Sequence, residues 1–301
     1  MSRSLTFLLL YLLMVATACN NSVKHKNQQN SSVQIPKVKT VNHLPVELTE
    51  ISGITFIDSN TIALVEDESG VIYNYSLAQK KVTGQNKFAG AGDFEDLCVA
   101  GNDMYAIQSD GKLFKIANFK KGFTDITEIK TPFKPQNNLE GLAYDPDRSR
   151  LLIAPKDEGF DTGKKKIKVV YALDLKTNQL NSTPVYNLDL AQIEAQFKGD
   201  QLEESSKKFL KAIGNENMNK VFRTSALAIH PKTKDLYMLS SLNNMVAILS
   251  PADSLKKILL LKGGDFSQPE GITFSPDGKL FISNEGAKNK SGNILELEYE
   301  N

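Results

Sequence analysis

A short phrase returns five times along the chain, and its spacing leaves few folds open. It reads Ile51-Ser52-Gly53-Ile54-Thr55-Phe56, then Phe94-Glu95-Asp96-Leu97, then Leu139-Glu140-Gly141-Leu142-Ala143-Tyr144. Two further copies are Thr224-Ser225-Ala226-Leu227-Ala228-Ile229 and Pro269-Glu270-Gly271-Ile272-Thr273-Phe274. In each, a polar residue and a small or acidic one precede alternating apolar positions. The small or acidic markers fall at 53, 96, 141, 226 and 271, separated by 43, 45, 85 and 45 residues. After each phrase comes a turn, such as Asp145-Pro146 or Ser275-Pro276-Asp277-Gly278, and then a second apolar strand, a third and a looser fourth. About 45 residues and four short antiparallel strands per unit is the pattern of a propeller blade. The expected fold is all-β, a propeller of five blades.

Two irregularities test that reading. The last unit ends at Asn301 without a fourth strand, while residues 38–48 precede the first unit with strand-like alternation. Letting one terminus complete the other's blade removes an exposed sheet edge, so Val38 to Leu48 is expected to be the outer strand of the last blade. The 85-residue interval is longer than one repeat by about 40 residues. Much of the excess, Asp189 to Ile213, carries helical periodicity through Leu190, Ile193 and Phe197, and again through Leu202, Phe209, Leu210 and Ile213. A helical insertion gives five blades; a degenerate unit hidden there would give six.

These phrases, with Asp93-Phe94-Glu95-Asp96-Leu97 and Ser283-Asn284-Glu285, resemble the SdiA-regulated protein family over roughly residues 47–299. That family consists of bacterial envelope propellers related to NHL-type repeat proteins. The resemblance implies a fold and a compartment, and it implies no particular reaction. Ala226 departs from the commoner glycine at its position.

The N-terminus agrees with an envelope location. Arg3 precedes an uncharged apolar stretch from Leu5 to Val15, too short to span a bilayer and suited to a signal-peptide core. It runs into Ala16-Thr17-Ala18-Cys19, which resembles the lipobox of bacterial lipoproteins, where the cysteine takes lipid and the signal is removed before it. The expected organisation is a signal peptide over 1–18, a polar tether over 19–36 and one propeller domain over 37–301. Membrane attachment would run through lipid on Cys19, most simply facing the periplasm. The second cysteine, Cys98, lies in an apolar strand and reads as a buried small hydrophobe, leaving no disulfide framework.

Composition narrows the partners. With 36 basic against 35 acidic residues there is no domain-wide positive field to hold a phosphate backbone, which argues against nucleic acid. Three scattered histidines, His25, His43 and His230, make neither a zinc site nor a serine-histidine-acid triad. Chemistry therefore has to rest on carboxylates. Equivalent positions opening the five inner strands are Ser52, Glu95, Glu140, Ser225 and Glu270. A second set closes the second strands and includes Glu66-Asp67, Asp110, Lys156-Asp157 and Asn284-Glu285. Antiparallel pairing brings both sets to one mouth of the central channel.

Crowded carboxylates resist ionisation unless something offsets them. Glu95, Glu140, Glu270, Asn284 and Glu285 could hold a hard cation such as Ca²⁺, which accepts six to eight oxygens. Lys156 could instead neutralise one carboxylate, and the glutamates could simply accept hydrogen bonds from neighbouring blades. Two function classes follow: an envelope protein binding a cation or small polar ligand, with no reaction, or a metal-dependent hydrolase of lactones or phosphate esters. Glu270 and Asn284 would fit part of the ligand set of such hydrolases, but the histidine base is missing.

Overall fold

The computed structural model describes residues 33–161, 166–197, 218–287 and 290–300. Cys19, the signal-peptide stretch and most of the tether lie outside the described residues, as does the insertion beyond Phe197.

Five four-stranded antiparallel units make the propeller. Blade one is β3 (Ile51–Phe56), β4 (Thr61–Glu66), β5 (Val71–Ser76) and β6 (Lys81–Lys87). Blade two is β7 (Phe94–Ala100), β8 (Asp103–Gln108), β9 (Leu113–Ile116) and β10 (Ile126–Ile129). Blade three is β11 (Leu139–Asp145), β12 (Arg150–Pro155), β13 (Ile167–Asp174) and β14 (Gln179–Asp189). Blade four is β15 (Thr224–Ile229), β16 (Leu236–Ser240), β17 (Met245–Leu249) and β18 (Leu255–Leu260). Blade five is β19 (Pro269–Phe274), β20 (Leu280–Asn284), β21 (Asn293–Glu298) and, from the chain start, β2 (Lys37–His43).

The closing strand is shorter than residues 38–48. After His43 the chain leaves the sheet, and Val46–Leu48 form a 3₁₀ turn that buries Leu48. Val33–Gln34, read from sequence as tether, forms a two-residue strand β1 that pairs in parallel with β18. The chain start thus binds blade four before completing blade five, and so bridges two blades.

Middle strands are buried on both faces, because each blade packs against a neighbour on either side. That is why β4, β12, β16 and β20 read as nearly continuous apolar runs. Each pair of adjacent blades encloses its own apolar cluster. Between blades three and four the cluster also takes in helix α1 (Leu190–Gln196), whose Leu190 and Ile193 are buried together with Phe197 just beyond it. Asp189 caps α1 by accepting from the Ala191 N–H at 2.7 Å, and Gln192 Oε1 accepts from the Asp189 N–H at 3.0 Å. Among the described residues no helix is long and apolar enough to cross a membrane.

Candidate ligand site at the channel mouth

Every inner strand carries a register irregularity at its start, where the recurring phrase places its polar residue. The ladder skips between Phe94 and Asp96, Leu139 and Gly141, Thr224 and Ala226, and Pro269 and Gly271. In blade one it skips from Ile51 to Ile54. The residues left out of register are Glu95, Glu140, Ser225 and Glu270, with Ser52 and Gly53 in blade one. A bulge re-aims the side chain it carries. One bulge per blade therefore builds the ring at the mouth.

The next layer closes the axis. A Cβ on Gly53 would sit 2.6 Å from the Asp96 Cα, and one on Gly271 would sit 2.5 Å from the Ser52 carbonyl oxygen. The strands converge so tightly here that blade two's Asp96 is the one acidic side chain among the five markers. Its carboxylate accepts from Leu97 N–H at 2.8 Å, Leu142 N–H at 2.7 Å and Leu227 N–H at 3.4 Å, tying blades two, three and four together. Burial pushes the Asp96 carboxyl well above the usual range, against the pull of those three N–H groups.

Above this plug, Glu140 is 2 % exposed and accepts from Lys156 Nζ at 2.7 Å. Burial raises the Glu140 carboxyl, while Lys156 pulls the other way. Glu95 hydrogen-bonds Glu140, and burial followed by repulsion from Glu140 and Asp93 drives its pKa upward more strongly. Of the pair, Glu95 is driven further toward its protonated form, in which its O–H can donate to the Glu140 carboxylate. Burial also raises Glu270, opposed by Lys156 and by bonds from Ser241 and Gln268. Glu285 is pushed up to about 8 by burial and then by Glu270, Glu50 and Asp67; Asp67 itself rises to about 6 by burial and its acidic neighbours. Burial alone would lower the Lys156 pKa, but Glu140, Glu270 and Glu95 together raise it.

The other sequence candidates are held locally. Glu66 accepts from Glu68 N–H at 3.0 Å and Ser69 N–H at 2.8 Å, so its carboxylate serves its own turn. Asp110 pairs with Lys112 at 2.6 Å, and Asp157 with Arg223 at 2.7 Å. Ser225 Oγ donates to the Pro269 carbonyl at 3.3 Å, and Ser283 Oγ donates to the Ser52 carbonyl at 2.8 Å, both bonds joining neighbouring blades. Asn284 is fully buried; its Nδ2 donates to Asn293 Oδ1 at 3.0 Å, while its Oδ1 and Asp67 Oδ1 find no partner.

Lys168 was not singled out from sequence. It is 1 % exposed, donates to the Lys156 and Asp157 carbonyls and to Asn219 Oδ1, and so fixes the segment that presents Lys156. Burial lowers its pKa to about 8. The clue was a lysine in the buried-strand pattern of β13.

Among the described residues no three His, Cys, Asp or Glu side chains converge as metal ligands. The Lys156 ammonium instead lies against Glu140. His230, the buried histidine, belongs to the turn after β15 at the opposite end of the inner strands, where its ring meets Phe274 at 4.8 Å. It cannot serve as a base at this mouth.

The profile of the SdiA-regulated family matches residues 26–288, and the chain belongs to that family. No curated protein sequence matches it. Among solved structures it is similar to the glutaminyl cyclase of Myxococcus xanthus, with 11 % identity, TM-score 0.54, and 88 % of this chain and 97 % of that chain covered. It is similar to the PQQ-bound aldose sugar dehydrogenase of Streptomyces coelicolor, with 11 % identity, TM-score 0.50, and coverage of 88 % and 98 %. A structural genomics protein of unknown function from Bacteroides thetaiotaomicron matches at 13 % identity and TM-score 0.50, with coverage of 87 % and 60 %. At such identities the likeness is one of fold.

Proposed function

We propose that this member of the SdiA-regulated family is a lipid-anchored envelope protein that binds a cation or a small cationic polar ligand at the carboxylate mouth. The observation that carries the reading is the bulged trio Glu95, Glu140 and Glu270 with Glu285 beside it. Lys156 is the cation that opposes all four of them. In the ligand-free protein the surplus negative charge is held off by protons. A bound cation would supply the missing positive charge and release those protons. The exposed rim acid Glu50 and the unpartnered Asp67 oxygen extend the negative field outward.

Ca²⁺ suits oxygen donors better than Mg²⁺, which demands a tighter octahedral shell, and an organic ammonium would pair with the carboxylates that Lys156 leaves unneutralised. Calorimetric titration of chelator-treated protein with Ca²⁺, Mg²⁺ and 1,4-diaminobutane tests the reading and separates its two sources. Heat from Ca²⁺ or from the diamine, lost in Glu140→Gln, is expected. No heat and no melting shift from any of the three would defeat it. The anchor is tested separately: Cys19→Ala should leave an uncleaved precursor or release the protein from membranes.

A further inference from the structure

The same repeat that builds the acidic mouth leaves a cavity at the other end of the axis. One residue beyond the markers stand Ile54, Leu97, Leu142, Leu227 and Ile272, each at most 2 % exposed. They pack beneath the Asp96 plug as an aliphatic floor. The next ring is small in every blade: Thr55, Cys98, Ala143, Ala228 and Thr273. Five small side chains in one ring cannot fill the axis, and a cavity of about 290 Å³ opens there. Its outer wall carries the aromatic rings of Phe56, Tyr144 and Phe274.

The small ring is not uniform around the axis. Blades five, one and two are consecutive, and they contribute Thr273, Thr55 and Cys98; blades three and four contribute alanines. Thr55 is 9 % exposed and Thr273 7 %, and among the described residues neither hydroxyl has a hydrogen-bond partner. Neither hydroxyl is sealed inside the protein: both open onto the cavity, on neighbouring blades, where a bound molecule can meet them. Lys234 is the charged residue of the lining, and it is held 3.5 Å from Asp147.

We propose that this cavity is a second ligand site, for a small uncharged ring compound bearing a single hydroxyl or carbonyl group. The ring lies against the alanines and the aromatic wall, and the polar group meets Thr55 and Thr273, whose hydroxyls can both donate and accept. The size is adequate, since a cavity of roughly 150 Å³ accommodates benzene. The floor and plug separate this site from the mouth, so the two bind independently.

Calorimetric titration of the full chain with benzyl alcohol and with toluene tests the assignment. Benzyl alcohol should bind about five- to tenfold more tightly than toluene, the worth of one neutral hydrogen bond. The near-isosteric double variant Thr55→Val, Thr273→Val should erase that preference while still binding toluene. Ala228→Leu, which fills the ring, should block both probes. Glu140→Gln should leave both affinities unchanged, which separates this site from the one at the mouth. Equal affinity of wild type for the two probes, or binding of neither at millimolar concentration, would overturn the proposal. So would a double variant that keeps the preference, a result that stands even if Ala228→Leu does not fold.

Discussion

The two ends of the axial channel are built from the same five strands and differ in almost every physical respect. At the mouth, the bulged positions carry three glutamates, and the surrounding loops add more carboxylates. At the far end, the equivalent ring two residues past each marker is small, and it carries no charge. One end sets burial and crowding of carboxyls against a lysine contact; the other leaves volume and unpaired hydroxyls. A blade repeat thus sets geometry, while single positions within it decide whether a ring becomes a charge cluster or a cavity. Asp96 divides the two.

Removing that divider should have the largest effect. Asp96→Ala leaves three inner-strand N–H groups unsatisfied in a fully buried place, at roughly 1–3 kcal/mol each before relaxation. We expect a loss of at least about 3 kcal/mol, or on the order of 10 °C in melting temperature for a domain of this size. Thermal unfolding with Asp96→Asn alongside measures it; the amide should recover part of the loss.

Breaking the mouth's ion pair comes next. Lys156→Met leaves Glu140 buried without its counter-charge, which typically destabilises by about 3 kcal/mol or more. Protonating Glu140 relieves that penalty, so the loss should be larger at pH 8 than at pH 5.5. Urea denaturation at the two pH values tests the difference, and an equal loss at both would mean that Glu140 does not sense Lys156.

Glu95→Gln should act in the opposite direction. The amide keeps the donor to Glu140 and removes a group whose ionisation opposes folding. We expect melting to rise by a few degrees at pH 8, equivalent to about 1 kcal/mol, with little change at pH 5. The smallest effect belongs to the far end. Thr273→Val should be neutral or slightly stabilising, by under about 1 kcal/mol, because it deletes a hydroxyl with no partner. Its effect should be the same at pH 5 and pH 8, as melting curves would show.

Much of this is legible in the sequence. The polar–small pair inside an otherwise apolar strand marked each bulge, and its period fixed five blades once Leu190, Ile193 and Phe197 were recognised as a helical face. Ring closure was readable because the last unit lacks a strand and the chain start has one to offer. The parallel strand Val33–Gln34 was not, since two residues carry no periodicity and the flanking sequence is polar. Asp96 looked like a variant of the repeat's glycine; two of its three N–H donors come from other blades, 46 and 131 residues away. Position in the repeat groups Glu66 and Asp110 with the mouth, yet Ser69 and Lys112, two or three residues on, hold them. The spacing for such turns was present in the sequence and outweighed by the symmetry of the repeat.

If the mouth exchanges protons for a cation, stability must depend on pH without cation and lose that dependence with it. Carboxyls raised in the folded state bind more protons folded than unfolded, so their contribution is full below about pH 4 and is lost as pH rises. With Asp67 raised to about 6 and Glu285 to about 8, the melting temperature should fall between pH 5 and pH 8. A saturating cation, Ca²⁺ or 1,4-diaminobutane, should restore it at pH 8 and change little at pH 5. A melting temperature flat across this range, or a cation response equal at both ends of it, would mean that no proton–cation exchange takes place at the mouth.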